Sequence, residues 1–157
     1  MTINKVAVIG SGVMGSGIAA QLANAGIDVV LLDKFPGAAD KAIERMLKAT
    51  PATDPMNAGL MHRDHAKRIS TGTTDDHMYK IADADWIVEV VPEILPIKHG
   101  AFKAIDEHRK PGSIVSSNTS TIPLSQLADG MSEDFKKDFL ITHFFNPVRF
   151  MDLLEIV

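Results

Sequence analysis

The chain has 157 residues, enough for one well-packed domain and short for two. An apolar share of 45% against 23% charged residues excludes a disordered chain, and a net charge of −4 excludes the chain-wide basic field that grips nucleic acid. The absence of cysteine excludes disulfides, thiolate catalysis and cysteine-ligated zinc.

The chain opens Met1-Thr2-Ile3-Asn4-Lys5 and runs straight into strand-like sequence, with no secretory-signal pattern. No apolar stretch approaches the roughly 18 residues that span a bilayer. The expectation is a cytoplasmic protein with no membrane or nucleic-acid partner. Residues 6–9 form a short β-branched run ending at Gly10. Residues 13–25 predict a small-residue helix with Ile18, Leu22 and Ala25 near one face, closed by Gly26 as the residue after the helix. Residues 28–32 are a second continuous apolar run ending at Asp33. Runs apolar on both faces fit parallel strands covered by helices on both sides.

A helix is predicted over 36–49, where Ile43, Met46 and Leu47 make an i, i+3, i+4 stripe and Pro51 lies just beyond. Residues 50–67 are rich in Pro, Asn, Asp and Gly and carry no assignment. His62 and His65 lie within that stretch, and without a third recognisable ligand they read as a solvated face. A short strand is predicted over 68–72 and a clear one over 86–91, stopped by Pro92, with Trp86 as core. Ile97, Ala101 and Ile105 predict a helix over 94–109, ended by Pro111-Gly112. Strands follow over 113–117 and 139–145, the second broken at Asn146-Pro147. The chain finishes on an apolar, strand-like run, 151–157, with no polar tail. Because natural termini usually fray into solvent, the expectation is a domain of residues 1–157 cut from a longer chain.

Gly10-Ser11-Gly12-Val13-Met14-Gly15 matches G-x-G-x-x-G. Its context is a strand before it, a helix after it, and a second strand ending in an acid, which is that of a dinucleotide-binding turn. Gly10 permits the tight turn, Gly12 lets the backbone approach a pyrophosphate, and Gly15 lets helix and strand pack closely. The amides and positive dipole end of the helix receive the phosphates, with Ser11, Val13 and Met14 in the same loop. Asp33, 23 positions after Gly10, is placed for the ribose hydroxyls and would repel a 2′-phosphate, favouring NAD over NADP. The predicted fold is therefore an α/β Rossmann domain, with a doubly wound, mostly parallel sheet and helices on both faces.

Three further segments are unlike generic sequence of this fold: Val88-Glu89-Val90-Val91-Pro92-Glu93, Ser117-Asn118-Thr119-Ser120-Thr121 and His143-Phe144-Phe145-Asn146-Pro147. With the glycine turn they make almost the whole chain resemble the N-terminal domain of the 3-hydroxyacyl-CoA dehydrogenases of fatty-acid β-oxidation. The resemblance implies NAD as cofactor and an L-3-hydroxyacyl-CoA as substrate. It makes His143 the general base and Glu155, twelve positions later, its partner. Ser120 and Asn146 match positions that bond the substrate or the nicotinamide end. Glu93 and Lys98 match contacts to the cofactor's ribose and nicotinamide portion. The resemblance also implies an all-helical second domain after residue 157 that closes the acyl site and makes a homo-oligomer. The family's coenzyme A contacts find no residue-by-residue match in the helix that carries Arg45, Met46 and Lys48.

The implied chemistry is coherent. Oxidising a secondary alcohol removes the hydroxyl proton as hydride leaves carbon. Histidine suits that task at neutral pH, and a carboxylate fixes its tautomer. Two alternatives stand beside this reading. One is an NAD-dependent dehydrogenase of a small β-hydroxy acid, a class that generally uses a lysine from the helical domain. The other is a non-catalytic NAD-binding module, which the presence of both His143 and Glu155 opposes.

Overall fold

The computed structural model describes residues 2–157. Seven strands form one sheet: β1 (Lys5–Ile9), β2 (Asp28–Asp33), β3 (Ile69–Thr73), β4 (Trp86–Glu89), β5 (Ile114–Ser117), β6 (Phe139–Phe144) and β7 (Leu154–Ile156). Their order is β3-β2-β1-β4-β5-β6-β7. The first six run parallel, and β7 returns antiparallel on β6. The strand order reverses direction between β1 and β4, the place where an open α/β sheet leaves a crevice beyond the carboxyl ends of its strands. The predicted doubly wound Rossmann fold is thus the observed one.

The helices are α1 (Val13–Asn24), α2 (Ala38–Lys48), α3 (Thr74–His77), α4 (Leu95–His108), α5 (Leu124–Leu127) and α6 (Glu133–Asp138). Side-chain alternation along β1 divides the core between them. Val6 and Val8 pack with Ile18, Ala19 and Ala23 of α1 and with Ala42 and Met46 of α2. Ala7 and Ile9 face the other layer, where Phe102 and Ile105 of α4 meet Phe135 of α6. Each fully buried Val or Ile here contributes about 1.5–3 kcal/mol. Among the described residues, no helix is long and apolar enough to cross a membrane.

Two helix faces differ from the sequence expectation. In α4 the core-facing residues are Lys98, Phe102 and Ile105, while Ile97 is exposed. The helix turns its lysine inward because a buried carboxylate waits for it. In α1 burial wraps most of the helix, from Gly15 to Ala20 and Ala23, and Ala25 lies exposed past its end. Small side chains let α1 lie tight against the sheet, so its buried face is wide and its apolar stripe narrow. Strand β4 ends at Glu89, not at residue 91, because the Glu89 side chain takes the Val91 N–H that a continuing ladder would use. The short helices α3 and α6 have no counterpart in the sequence expectation, whereas α5 begins directly after Pro123, a residue suited to a helix start. The unassigned 50–67 stretch is turns leading into a 3-10 turn, Arg63–Arg68.

Candidate active site

The glycine turn joins β1 to α1 at the crevice. Gly10 has φ +110°, and a Cβ there would lie 2.6 Å from the Val90 carbonyl oxygen. A Cβ on Gly15 would lie 1.8 Å from the Gly10 carbonyl oxygen, so helix and turn touch only because position 15 lacks a side chain. Gly12 differs from both. Its φ of −61° is open to any residue, and no atom lies within 4 Å of where its Cβ would stand. Neither a positive φ nor packing calls for glycine at position 12; glycine is a favoured N-cap residue, and its bare Cα leaves open space before the helix start. Gly12 is the N-cap of α1, no side chain caps the helix, and its first turn carries no acid. The leading amides and positive dipole end are therefore free for an anion.

Asp33, at the end of β2, closes this half. Its Oδ2 accepts from both the N–H and the hydroxyl of Ser11, each at 2.7 Å, and Oδ1 accepts from Phe35 N at 3.1 Å. Burial opposes its ionisation. The Ser11 and backbone hydrogen bonds outweigh burial and hold the carboxyl below its usual range.

The second half is assembled from β4, α4 and the loop after β5. Glu89 is fully buried on the strand that abuts β1. Its Oε1 accepts from Lys98 Nζ at 2.9 Å and Val91 N at 2.7 Å, and its Oε2 from Lys98 Nζ at 3.1 Å and from the Ser117 hydroxyl. Lys98 also reaches Glu93 at 3.2 Å. Glu93 in turn gathers the next loop, accepting from the Thr119 hydroxyl, from Ser120 N and Thr121 N at 3.2 Å each, and from the Thr121 hydroxyl at 3.0 Å. Burial pushes Glu89 upward against the pull of Lys98. At Glu93 burial acts the same way, but the Thr119 hydrogen bond and the Lys98 charge prevail and hold it down to about 2.

A cavity of about 1000 Å³ runs across both halves. Gly10 to Gly15, Asp33, Lys34, Asp75, Glu93, Lys98, Asn118 and Ser120 are among the residues on its wall. Ser120 is exposed, and among the described residues its hydroxyl makes no hydrogen bond. It does not cap α5, whose N-cap is Pro123.

His143 and Glu155 face each other across β6 and β7, where the antiparallel register pairs the two positions directly. Oε2 of Glu155 lies 2.8 Å from Nδ1 of His143. The Phe145 ring packs on the imidazole at 4.6 Å between centroids. His143, Asn146 and Glu155 are not on the cavity wall. They lie beside it, because Asn118 of the wall accepts from Phe144 N at 2.9 Å and ties the end of β6 to the loop after β5. Asn146 is half-buried at the exit of β6.

Glu89, Ser117, Asn118, Thr119 and Thr121 lie in the quoted segments but have no role in the sequence expectation, and the structure places all five in the site's hydrogen bonds. Glu89 carried a usable signal, an acid within the otherwise apolar strand expected over 86–91, which is stable there only with a buried partner. Asn118 carried none, because its partner is a backbone amide 26 positions away.

These features define a dinucleotide-binding Rossmann domain. The chain belongs to the 3-hydroxyacyl-CoA dehydrogenase family, matching over residues 5–157 the family described as "3-hydroxyacyl-CoA dehydrogenase, NAD binding domain". Its cofactor is NAD, which the open Gly12 position and uncapped α1 fit. A probable 3-hydroxyacyl-CoA dehydrogenase of Bacillus subtilis is 46% identical over 99% of this chain and 22% of that protein. One of Deinococcus radiodurans is 44% identical over the whole chain and 46% of that protein. The chain thus spans less than half the length of either relative. A 3-hydroxybutyryl-CoA dehydrogenase structure from Escherichia coli superposes with a TM-score of 0.84 at 30% identity, covering 99% of this chain and 32% of that one.

Proposed function

We propose that this chain is the NAD-binding, catalytic part of an enzyme that oxidises L-3-hydroxyacyl-CoA to 3-oxoacyl-CoA in fatty-acid β-oxidation, with His143 as general base oriented by Glu155. The observation that carries the proposal is the 2.8 Å contact between His143 Nδ1 and Glu155 Oε2, beside the NAD cleft. A carboxylate accepts from the Nδ1–H, so Nε2 keeps its lone pair and takes the substrate's hydroxyl proton. Glu155 is about half exposed, so solvent screens its charge and its main contribution is orientation. The Phe145 ring holds the imidazole plane from the side.

When bound, NAD supplies the ring that accepts hydride from the substrate carbon. The backbone of Gly10, Ser11, Gly12, Val13, Met14 and Gly15 holds its pyrophosphate, and Asp33 holds the adenosine ribose and repels a 2′-phosphate. Because that half is spoken for, the nicotinamide half lies toward β4 and β5, where Glu93 and Ser120 line the cavity, Lys98 holds Glu93 in place from beneath and Asn146 stands beside it. The free Ser120 hydroxyl and the Asn146 amide donate toward oxygen as charge develops on it.

In this reading the full-length protein adds an all-helical domain that completes the acyl-CoA site and makes a homo-oligomer, and the enzyme works in the cytoplasm. The exposed apolar side chains of Met151, Leu153, Ile156 and Val157 support a covering partner there. The test is acetoacetyl-CoA reduction by NADH in the full-length protein, followed at the cofactor's absorbance. His143→Gln should lower kcat by roughly 10³-fold with little change in KM. A near-normal kcat eliminates His143 as base. Parallel assays with a free β-hydroxy acid separate the acyl-CoA reading from its small-acid alternative.

A further inference from the structure

We propose that the Glu89–Lys98–Glu93 cluster tilts cofactor binding toward the oxidised form, by setting a fixed negative charge against the nicotinamide half of the cleft. The inference rests on the seating of the cofactor proposed above.

The charge follows from the hydrogen bonds. Lys98 is 1% exposed and its ammonium is shared by two carboxylates, at 2.9 Å from Glu89 and 3.2 Å from Glu93. Oε1 of Glu89 receives the ammonium and the Val91 N–H, and Oε2 receives the ammonium and the Ser117 hydroxyl, whose oxygen already accepts from Thr119 N at 3.3 Å. A proton on Oε1 would face two groups that can only donate, and one on Oε2 would displace the ammonium and turn the Ser117 hydroxyl away, so the ionised carboxylate is the form that fits. Glu93 likewise receives two hydroxyls and two amides at Oε1 and the ammonium at Oε2. Two carboxylates against one ammonium leave a charge of −1 on the cluster. That charge is presented at Glu93, whose side chain is 37% exposed on the cavity wall, while Glu89 is sealed beneath. The other charged residues on the wall, Asp33, Lys34 and Asp75, belong to the adenosine side, beyond the ends of β2 and β3.

NAD⁺ and NADH differ in charge only at the nicotinamide ring, which is cationic when oxidised and neutral when reduced. A negative cluster at that ring attracts the first and is indifferent to the second. Glu93 is then a specificity-determining residue for the cofactor's redox state. Once the substrate's hydride has reduced the ring, the attraction is gone and NADH leaves more readily.

The test is equilibrium titration of the protein with NAD⁺ and NADH separately, read as the ratio Kd(NADH)/Kd(NAD⁺). Glu93→Gln should lower that ratio about tenfold, equivalent to about 1.4 kcal/mol. Glu93→Asp, which keeps the charge, should hold it within about twofold. In the wild-type protein, raising salt from about 0.1 M to 1 M shortens the screening length from about 10 Å to about 3 Å and should lower the ratio roughly threefold. Screening at the pyrophosphate affects both forms alike and cancels. Equal weakening of the two forms in Glu93→Gln overturns the inference and leaves the cofactor seat standing. Should Glu93→Gln not fold, a salt-independent wild-type ratio overturns it equally. Failure of the wild-type protein to bind either form sinks the seat itself.

Discussion

The two halves of the cleft are built on opposite plans. The glycine-turn half lies within residues 5–33, and apart from the Asp33 carboxylate it offers backbone amides, presented where side chains are missing. The half beyond β4 is a side-chain network, in which Glu93 and the Ser117 hydroxyl find partners 26 to 28 positions away. The first kind of site fails when an atom is added, and the second when a charge is removed. In the proposed seating one cofactor rests on two different sorts of fragility, which substitutions should separate.

The largest effect belongs to Gly15→Ala. The new Cβ would lie 1.8 Å from the Gly10 carbonyl oxygen, and both atoms are fixed to backbone, so helix and turn must part. Chemical denaturation should show a loss of about 3 kcal/mol or more, or no folded protein. Gly12→Ala sharpens the contrast. Its Cβ enters open space at an ordinary φ, so stability should fall by no more than the roughly 1 kcal/mol of a lost glycine N-cap while NAD affinity falls by roughly tenfold or more. If the two variants lose stability alike, position 12 is a packing glycine and its ligand role is wrong.

The next effect tests the other plan. Glu89→Leu leaves the Lys98 ammonium buried with Glu93 as its one carboxylate partner, and breaking a buried pair on one side costs about 3 kcal/mol or more. Replacing both members, Glu89→Leu with Lys98→Met, should recover most of that stability, because no buried charge is then stranded. The double variant should still bind NAD more weakly than wild type, since Glu93 has lost the ammonium that positions it. Thermal melts and titrations separate the two readouts. A single variant costing under about 1 kcal/mol would mean that Lys98 escapes to solvent and that the network is not closed.

The same division explains what was legible in the sequence. β1, α1, β2 and the Gly10–Asp33 spacing are local patterns, so the fold and the cofactor turn could be read from one stretch of chain. His143 and Glu155 were legible through a family motif, and the register of β6 and β7 brings the pair together. The Glu89–Lys98–Glu93 arrangement was only half legible. Glu93 and Lys98 were named, but the inward turn of α4 was not, because Ile97 offered a better apolar stripe than a lysine and nothing local says that Glu89 lies beneath it. The helices α3 and α6 were missed although Thr73 and Ser132 cap them. A helix of four to six residues is too short to show periodicity, and a cap without periodicity reads as a turn.

The smallest effect sharpens the comparison by acid. Glu93 is held near 2 in the folded protein, against an ordinary value of 4.5. A folded-state value below the unfolded one means that the unfolded chain binds the proton first as pH falls. The stability Glu93 contributes is therefore complete above about 4.5 and is lost between there and about 2. Solvent reaches more than a third of the side chain, so after screening the contribution is under about 1 kcal/mol. Asp33 is lowered in the same direction, by Ser11 and the backbone amides around it. Each loss should vanish in its own variant: Glu93→Gln flattens the acid limb that Glu93 causes and leaves the Asp33 contribution in place, and Asp33→Asn does the reverse. Denaturation midpoints measured across that pH range in both variants and the double check this. If the double variant flattens the limb by no more than either single one, the two halves titrate as one unit, and the division between a backbone-built and a side-chain-built half does not extend to their electrostatics.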